Sequence, residues 1–126
     1  MFIKDLTNLF YMGRRDRGKH DTAVRRLKEK PGLIGLDGNV ILAAEEVRIK
    51  ENGRFIVPDL IFFLRGGKIV VVDYKSSDSR RGVNEFQIRG YRDTLQKLFP
   101  NVQVTALYAY GNFDDDGNGL NIEEIY

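Results

Sequence analysis

The chain has 126 residues, of which 42% are hydrophobic and 30% charged, so it has the size and apolar content of one folded domain over residues 1–126. It contains no cysteine, which excludes disulfides and zinc–thiolate sites and leads us to expect a cytoplasmic protein. The net charge of +2 is too small to identify a nucleic-acid-binding protein. The sequence contains no run of about 18 apolar residues, so no membrane-spanning helix is expected, and residues 1–11 lack the layout of a signal peptide.

The predicted elements start with helices. Apolar residues near helical spacing predict a short helix within residues 2–10, and a basic break follows at residues 13–18. A second helix is predicted by four residues at the spacing of one helix face, namely His20, Ala23, Val24 and Leu27. This helix is expected to end before Pro31.

Three strands are predicted in the middle of the chain. Residues 40–50 alternate as in a half-buried strand, whose apolar face carries Ile41, Ala43, Val47 and Ile49. Residues 55–64 and 68–75 are apolar on both faces, as in the central strands of a sheet. Turn signals at residues 51–53 and 65–67 separate the three strands, and the second turn joins the last two strands into a hairpin.

The remaining elements alternate between helix and strand. After a polar loop at residues 76–82, Asn84 can cap a helix that runs to about Phe99. The apolar stripe of this helix is Ile88, Tyr91, Leu95 and Leu98. Residues 102–110 predict a strand parallel to residues 68–75, and residues 120–126 predict an edge strand. The order predicts an α/β fold, a mixed β-sheet with an α-β-β-β-α-β core flanked by helices.

Three charged residues interrupt the two central strands. Asp59 interrupts the first strand, and Asp73 and Lys75 lie at the end of the second. Asp73 and Lys75 are two positions apart, so they share one face of their strand, and Tyr74 points away from that face. Because the hairpin turns about Gly66, Asp59 is expected to face Asp73 with their Cβ atoms about 5 Å apart.

Two opposed carboxylates in a buried hairpin are destabilising unless a positive charge lies between them. A divalent cation meets this need, and Mg²⁺ or Mn²⁺ prefers carboxylate oxygen as a ligand. The alternative is a structural salt bridge from Lys75 to Asp59 or Asp73, which leaves the other carboxylate poorly compensated. Pro58 cannot donate to a strand ladder, so it indicates a distorted strand of the kind found beside active sites.

Pro58-Asp59, followed after thirteen residues by Asp73-Tyr74-Lys75, resembles the signature of the PD-(D/E)XK nuclease superfamily. The resemblance implies phosphodiester hydrolysis with Mg²⁺ or Mn²⁺. It implies that Asp59, Asp73 and the carbonyl oxygen of Tyr74 are the metal ligands. Lys75 would orient the attacking water and stabilise the charge that develops on the phosphate.

Gln87 and Tyr91, four positions apart on the following helix, are similar to the QxxxY motif of the RecB-like exonuclease branch of that superfamily. In related nucleases this pair lies near the DNA and the catalytic centre. Alternatively, Asn84 and Gln87 form a helix-capping box, and Tyr91 belongs to the apolar stripe. The resemblance covers about residues 18–110 and implies a restriction-endonuclease-like fold, in agreement with the predicted order of elements.

Several residues compete to complete the metal site. The resemblance implies a metal-binding histidine on the helix before the sheet, and His20 follows Gly18 by two positions where relatives show four. His20 is therefore a candidate ligand or substrate contact, and Asp21 is the acidic alternative. Strand alternation favours Glu45 as a supporting residue, whereas the spacing to the next apolar residue makes Glu46 more similar to the glutamate of relatives.

Basic residues form two clusters that are candidate contacts with nucleic acid. They contain Arg17, Lys19, Arg80 and Arg81. Such clusters are more often solvated surface.

The leading expectation is a metal-dependent DNA nuclease of the kind that serves DNA repair or recombination, and the glutamine–tyrosine pair favours an end-dependent exonuclease. The alternatives are a structure-specific endonuclease similar to a junction resolvase, a restriction-type enzyme, or a non-catalytic nucleic-acid-binding module on the same fold. A structural domain with an internal ion network is a further alternative. The chain has no room for a separate recognition domain, so targeting is expected from a protein partner or a homo-oligomer.

Overall fold

The computed structural model describes residues 18–126, so the helix predicted within residues 2–10 lies outside the described residues. The described part contains two α-helices, α1 (Lys19–Glu29) and α2 (Arg81–Leu98), and a short 3-10 helix at Pro31–Ile34. Its strands are β1 (Val40–Glu45), β2 (Ile49–Glu51), β3 (Arg54–Ile56), β4 (Leu60–Leu64), β5 (Lys68–Lys75), β6 (Gln103–Tyr110) and β7 (Asn121–Ile125).

Five of the strands form one mixed sheet in the order β1-β4-β5-β6-β7. β5 and β6 are parallel, and the other neighbouring pairs are antiparallel. This arrangement confirms the predicted β4–β5 hairpin, the crossover through α2 to a parallel strand, and the edge strand near the end of the chain. The protein is therefore a mixed α/β protein with a five-stranded mixed sheet and two α-helices in its described part.

The sheet is buried on both faces because the two helices lie on opposite sides of it. Side chains alternate along β5, so Ile69 and Val71 pack with Ile88 of α2, whereas Val72 packs with Leu27 of α1. This burial explains why β4 and β5 are apolar on both faces. Neither described helix combines the length and the apolarity needed to cross a membrane.

The prediction of continuous strands at residues 40–50 and 55–64 is wrong, because each of them is broken. Glu46 has a left-handed φ of 52° and follows the end of β1, while Pro58 lies between β3 and β4. The two breaks face each other, since the N–H of Glu46 donates to the carbonyl oxygen of Asp59 at 3.0 Å. Pro58 has no N–H for a ladder, so β2 and β3 leave the main sheet and pair with each other as a separate hairpin.

Three side chains differ from their predicted positions. Ile41 is exposed because the β1–β4 register shifts next to it, and Leu98 is exposed at the end of α2. Asn84 does not cap α2, which begins three residues earlier at Arg81. Asn84 is instead buried, and its side-chain amide donates to the hydroxyl of Tyr108 at 3.1 Å. The interpretation of Asn84 as part of a capping box is therefore wrong.

Candidate active site at the end of the β4–β5 hairpin

The register of the hairpin brings Asp59 and Asp73 together. Leu60 pairs with Val72 in the last step of the ladder, so Asp59 continues the strand to the position opposite Asp73. Beyond this step a side chain replaces the backbone, because the N–H of Tyr74 donates to Oδ2 of Asp59 at 2.7 Å. The two carboxylates are both buried, with Asp59 5% and Asp73 2% exposed.

Lys75 lies on the same face of β5 as Asp73, as predicted from their spacing. Its Nζ atom is 3.2 Å from Oδ2 of Asp73, and its side chain is one-third exposed. Tyr74 points to the opposite face, where its ring contacts Phe113 and its hydroxyl donates to the carbonyl oxygen of Gly111 at 2.7 Å. The ammonium group of Lys75 therefore contacts a buried carboxylate while its side chain remains partly accessible to solvent.

The two carboxylates titrate differently because their partners differ. Burial and the negative charge of Asp59 raise the pKa of Asp73 to about 7, although Lys75 acts in the opposite direction. Burial also raises the pKa of Asp59, but the hydrogen bond and charge of His20, together with the N–H of Tyr74, outweigh burial and lower that pKa below its ordinary value. Asp59 is thus the permanently charged member of the pair near neutral pH.

His20 reaches the carboxylates from the first turn of α1. Its Nε2 atom is 3.3 Å from Oδ2 of Asp59, and its Nδ1 atom is 3.4 Å from Oδ1 of Asp21. Its ring also lies 5.8 Å from the ring of Tyr74. Between the two candidates on this helix, His20 is the one in contact with Asp59, and Asp21 contacts the other side of the imidazole.

Glu45 and Glu46 have different surroundings. Glu45 lies on the α1 side of the sheet, where its carboxylate is 3.5 Å from Nζ of Lys28 and 3.9 Å from Nε of Arg25. Its predicted need for a partner is therefore met by α1. Glu46 is 1% exposed, and its backbone amide holds the carbonyl oxygen of Asp59. Of the two glutamates, Glu46 is the one joined directly to the candidate site.

The two residues of the predicted pair on α2, Gln87 and Tyr91, lie in different environments. Tyr91 is buried in the apolar cluster on the α2 side of the sheet. Gln87 is exposed and lines a groove of about 500 Å³ between α2 and the β2–β3 hairpin, together with Arg54 and Phe86. The burial of Tyr91 agrees with its alternative assignment to the apolar stripe.

A cleft of about 300 Å³ opens beside Lys75. Its lining is polar and consists of His20, Lys75, Ser76, Ser77, Ser79, Arg80 and Asn84. Arg80 is exposed at this cleft, so it remains a candidate contact for phosphate. Sequence reasoning missed Asn84 as a lining residue, although an asparagine in line with the apolar stripe of a helix is a signal of a buried polar contact.

The other predicted nucleic-acid contacts lie elsewhere. Lys19 lines a groove on the far side of Tyr74, and Arg17 lies outside the described residues. The guanidinium of Arg81 donates to the carboxylates of Glu123, Asp78 and Glu85, and its bonds to Glu123 and Asp78 raise its pKa above the ordinary value. This ion network makes Arg81 a poorer candidate for phosphate than Arg80.

The donor set at the hairpin partly fits a divalent cation. Oδ2 of Asp73 is buried, and its contact within residues 18–126 is the ion pair with the ammonium group of Lys75 at 3.2 Å, which lacks the geometry of a well-aligned hydrogen bond. The carbonyl of Tyr74 lies on the same side of β5 as its N–H, and therefore toward Asp59. Among the described residues, however, no three side chains of histidine, aspartate or glutamate converge on one point as a metal-binding group. A cation here would need the backbone carbonyl or water as further ligands.

Comparison with known proteins adds little to these observations. No protein-family model matches the chain, and no curated protein matches it. Among solved structures, the chain is similar to the protein SSO0001, with 18% sequence identity, a TM-score of 0.42, and coverage of 98% of this chain and 74% of that chain. A likeness at this level carries no argument about fold or function.

Proposed function

We propose that this protein is a metal-dependent nuclease that hydrolyses phosphodiester bonds in DNA and has a restriction-endonuclease-like fold of the PD-(D/E)XK type. One observation carries the proposal. Two buried carboxylates, Asp59 and Asp73, meet at the end of one hairpin with Lys75 and His20 beside them. Burying two like charges together is costly, and such arrangements are concentrated at functional sites.

In this proposal Asp59, Asp73 and the carbonyl oxygen of Tyr74 hold Mg²⁺ or Mn²⁺. A bound divalent cation supplies positive charge for phosphate oxygens and favours the ionisation of water near neutral pH. The N–H of Tyr74 fixes the Asp59 carboxylate in place at 2.7 Å, so this ligand needs little reorganisation. His20 supports Asp59 from the other side, either as a partner of the carboxylate or as a further ligand.

In this proposal Lys75 is the residue that acts on the substrate. Its ammonium group contacts Asp73 and also lines the polar cleft, so it can donate to a phosphate oxygen or orient a water molecule there. Arg80 lines the same cleft and supplies a second positive charge for the backbone of the nucleic acid. We favour an end-dependent exonuclease because the spacing of Gln87 and Tyr91 resembles the QxxxY motif. A junction-resolving endonuclease is the alternative because Tyr91 is buried in the apolar cluster.

A second candidate function is a non-catalytic nucleic-acid-binding module. The observation that favours it is that side chains of the protein already offset the negative charge of the two carboxylates, since Lys75 contacts Asp73 and His20 contacts Asp59. Without a cation, these contacts already offset part of the repulsion between the carboxylates. Both candidates place nucleic acid at the cleft, and they differ in whether a bond is cut.

Cleavage of end-labelled linear, circular and four-way-junction DNA in Mg²⁺ or Mn²⁺ tests the proposal. We expect the wild type to cut and the Asp73→Asn and Lys75→Ala variants to lose activity. The matched controls are Asp93→Asn on the exposed surface of α2 and Lys68→Ala at the opposite end of β5, both of which should cut like the wild type.

The pattern of products separates the candidates. Degradation of linear DNA with survival of circles supports the exonuclease, and cutting of circles or junctions supports an endonuclease with the same site. Binding of DNA without cleavage of any substrate would leave the binding module as the better account.

A further inference from the structure

The β2–β3 hairpin has two faces of different chemistry. Ile49 and Ile56 are cross-strand partners on its inner face and pack against the apolar cluster on the α2 side of the sheet. Lys50 and Phe55 are the partners of the next step, so they lie on the outer face. Arg48 is two residues before Lys50 and belongs to the same side. We call Arg48, Lys50 and Phe55 the outer hairpin face.

The outer hairpin face combines an exposed aromatic ring with two cations. Phe55 is 47% exposed, and the guanidinium carbon of Arg48 lies 3.7 Å from its ring centroid. Nζ of Lys50 is 5.9 Å from the same centroid. Neither cation forms an ion pair with a carboxylate within residues 18–126, because Glu51, the hairpin's own carboxylate, lies on the inner side and contacts Lys97.

The hairpin is held in a fixed position relative to the candidate site. Asn52 and Gly53 have φ values of 51° and 77°, as in the tight turn that matches the twist of two antiparallel strands. The inner isoleucines anchor the hairpin to the core. Phe55 is only four residues before Asp59, so their Cα atoms are at most about 14 Å apart.

From these observations we infer that the outer hairpin face binds a single-stranded segment of nucleic acid next to the bond that is cut, an inference that rests on the proposed nuclease function. One exposed phenylalanine is common on protein surfaces, but a ring flanked by two cations that form no ion pair within the described part of the chain matches the two needs of a single strand. The bases stack on the aromatic and guanidinium planes, and the cations contact phosphates.

The aromatic ring favours a single strand over a duplex. In a duplex the base faces are already stacked on one another, so an exposed ring gains nothing from them. A separation of at most about 14 Å corresponds to no more than roughly four nucleotides, counted at the rise of about 3.4 Å of a fully stacked strand. The hairpin would therefore hold the strand within a few nucleotides of Asp59 and Asp73.

Binding of a fluorescent oligothymidylate of about 12 nucleotides, measured by anisotropy in EDTA, tests this inference without any cleavage. We expect Phe55→Ala to weaken binding by about tenfold or more. Lys50→Ala should make the decrease of log affinity with log salt concentration less steep, by about 0.7 in the slope. The matched controls are Tyr126→Ala, an exposed aromatic residue beside the opposite edge strand, and Lys68→Ala, and both should bind like the wild type.

A second variant provides a reporter at the hairpin itself. The chain contains no tryptophan, so Phe55→Trp introduces a single indole on the outer hairpin face. We expect this variant to retain the affinity of the wild type and its fluorescence to be quenched when the oligonucleotide stacks on it. A duplex of the same length should bind more weakly and quench less.

The inference is overturned if Phe55→Ala and Tyr126→Ala bind equally well, if the Phe55→Trp fluorescence does not respond, or if the duplex quenches as strongly as the single strand. These results are independent of nuclease activity. If the wild type cuts DNA but the hairpin variants show no response, the nuclease proposal stands and the hairpin inference fails. If the protein never cuts DNA but shows these responses, the hairpin is a binding surface and the nuclease proposal fails.

Discussion

The backbone N–H of Tyr74 donates to the Asp59 carboxylate at 2.7 Å, at the point where the β4–β5 ladder ends. A side chain thus takes the place of the next strand carbonyl and continues the pairing by one step. Because Tyr74 follows Asp73 directly, this bond fixes Asp59 beside Asp73. The opposition of the two carboxylates therefore follows from the strand register, and the bond from the Tyr74 N–H holds the Asp59 side chain in that position.

The raised pKa of Asp73 leads us to expect an unusual dependence of stability on pH in metal-free buffer. The unfolded chain loses this proton near the ordinary pKa of 3.8, whereas the folded protein keeps it until about pH 7. The contribution of Asp73 to the free energy of unfolding is therefore fully present below about pH 4. It is lost as the pH rises through about 7, by at most about 1.4 kcal/mol per pH unit.

Urea unfolding in EDTA across this pH range measures the effect. Asp73→Asn is the matched control because its amide does not titrate, while every other titrating group is retained. We expect the wild type to lose more stability than the variant between about pH 4 and 7. Parallel curves for the two proteins would contradict the raised pKa.

Removal of His20 should affect Asp59 more than any other group. His20→Ala deletes the hydrogen bond and the charge of His20 that lower the pKa of Asp59, and it leaves the buried carboxylate with the bonds from the Tyr74 N–H and Asp73. We expect the free energy of unfolding at neutral pH to fall by about 1–3 kcal/mol. In the Asp59→Asn background, where no buried charge remains, the same substitution should cost less. Equal costs in both backgrounds would show that His20 acts independently of Asp59.

Asn84 and Tyr108 should be energetically coupled. The amide of Asn84 donates to the Tyr108 hydroxyl, which in turn donates to Asp78 at 2.8 Å. Asn84→Ala and Tyr108→Phe should each destabilise the protein by about 1–3 kcal/mol, and the double variant should lose less than the sum of the two. Asn84→Ala combined with Tyr126→Phe at the exposed end of the chain is the additive control. Strict additivity of Asn84→Ala and Tyr108→Phe would contradict the buried hydrogen bond.

Two glycines should respond in opposite ways to substitution by alanine. Gly90 lies within α2, and an added Cβ meets no atom within 4 Å, so Gly90→Ala should stabilise the protein by about 1 kcal/mol. Gly111 has a φ of 102°, and an added Cβ would clash with the carbonyl oxygen of Gly119. Gly111→Ala should therefore destabilise the protein by more than about 1 kcal/mol. Thermal unfolding of both variants provides the comparison, and a change of the same sign in both would contradict it.

The hairpin and its opposed carboxylates could be predicted from local patterns. Turn residues around Gly66 and the period of two along a strand determine which residues face each other, so the register of Asp59 against Asp73 follows without tertiary information. The shared face of Asp73 and Lys75 follows from the same period. Interruptions of an apolar strand by charge therefore predicted that Asp59, Asp73 and Lys75 lie close together.

The positions that could not be predicted depend on groups far apart in the chain. The roles of Glu45 and Glu46 were open in the sequence, and the structure separates them because α1 supplies Lys28 to Glu45 while the backbone of Asp59 binds Glu46. Asn84 is typical of a helix cap, but Tyr108 on a neighbouring strand satisfies its amide instead. Local propensity cannot show which of several partners a polar group will reach.

The sequence by itself determined the order of the two described α-helices and of the strands of the main sheet, the turns, and the pairing of β4 with β5. These features depend on the alternation of apolar residues and on turn residues close together in the chain. Only the tertiary structure decided that His20 contacts Asp59, that Arg81 is held by carboxylates, and that the β2–β3 hairpin leaves the main sheet. These features arise from contacts between distant segments, where burial and hydrogen bonding select one partner among several of suitable chemistry.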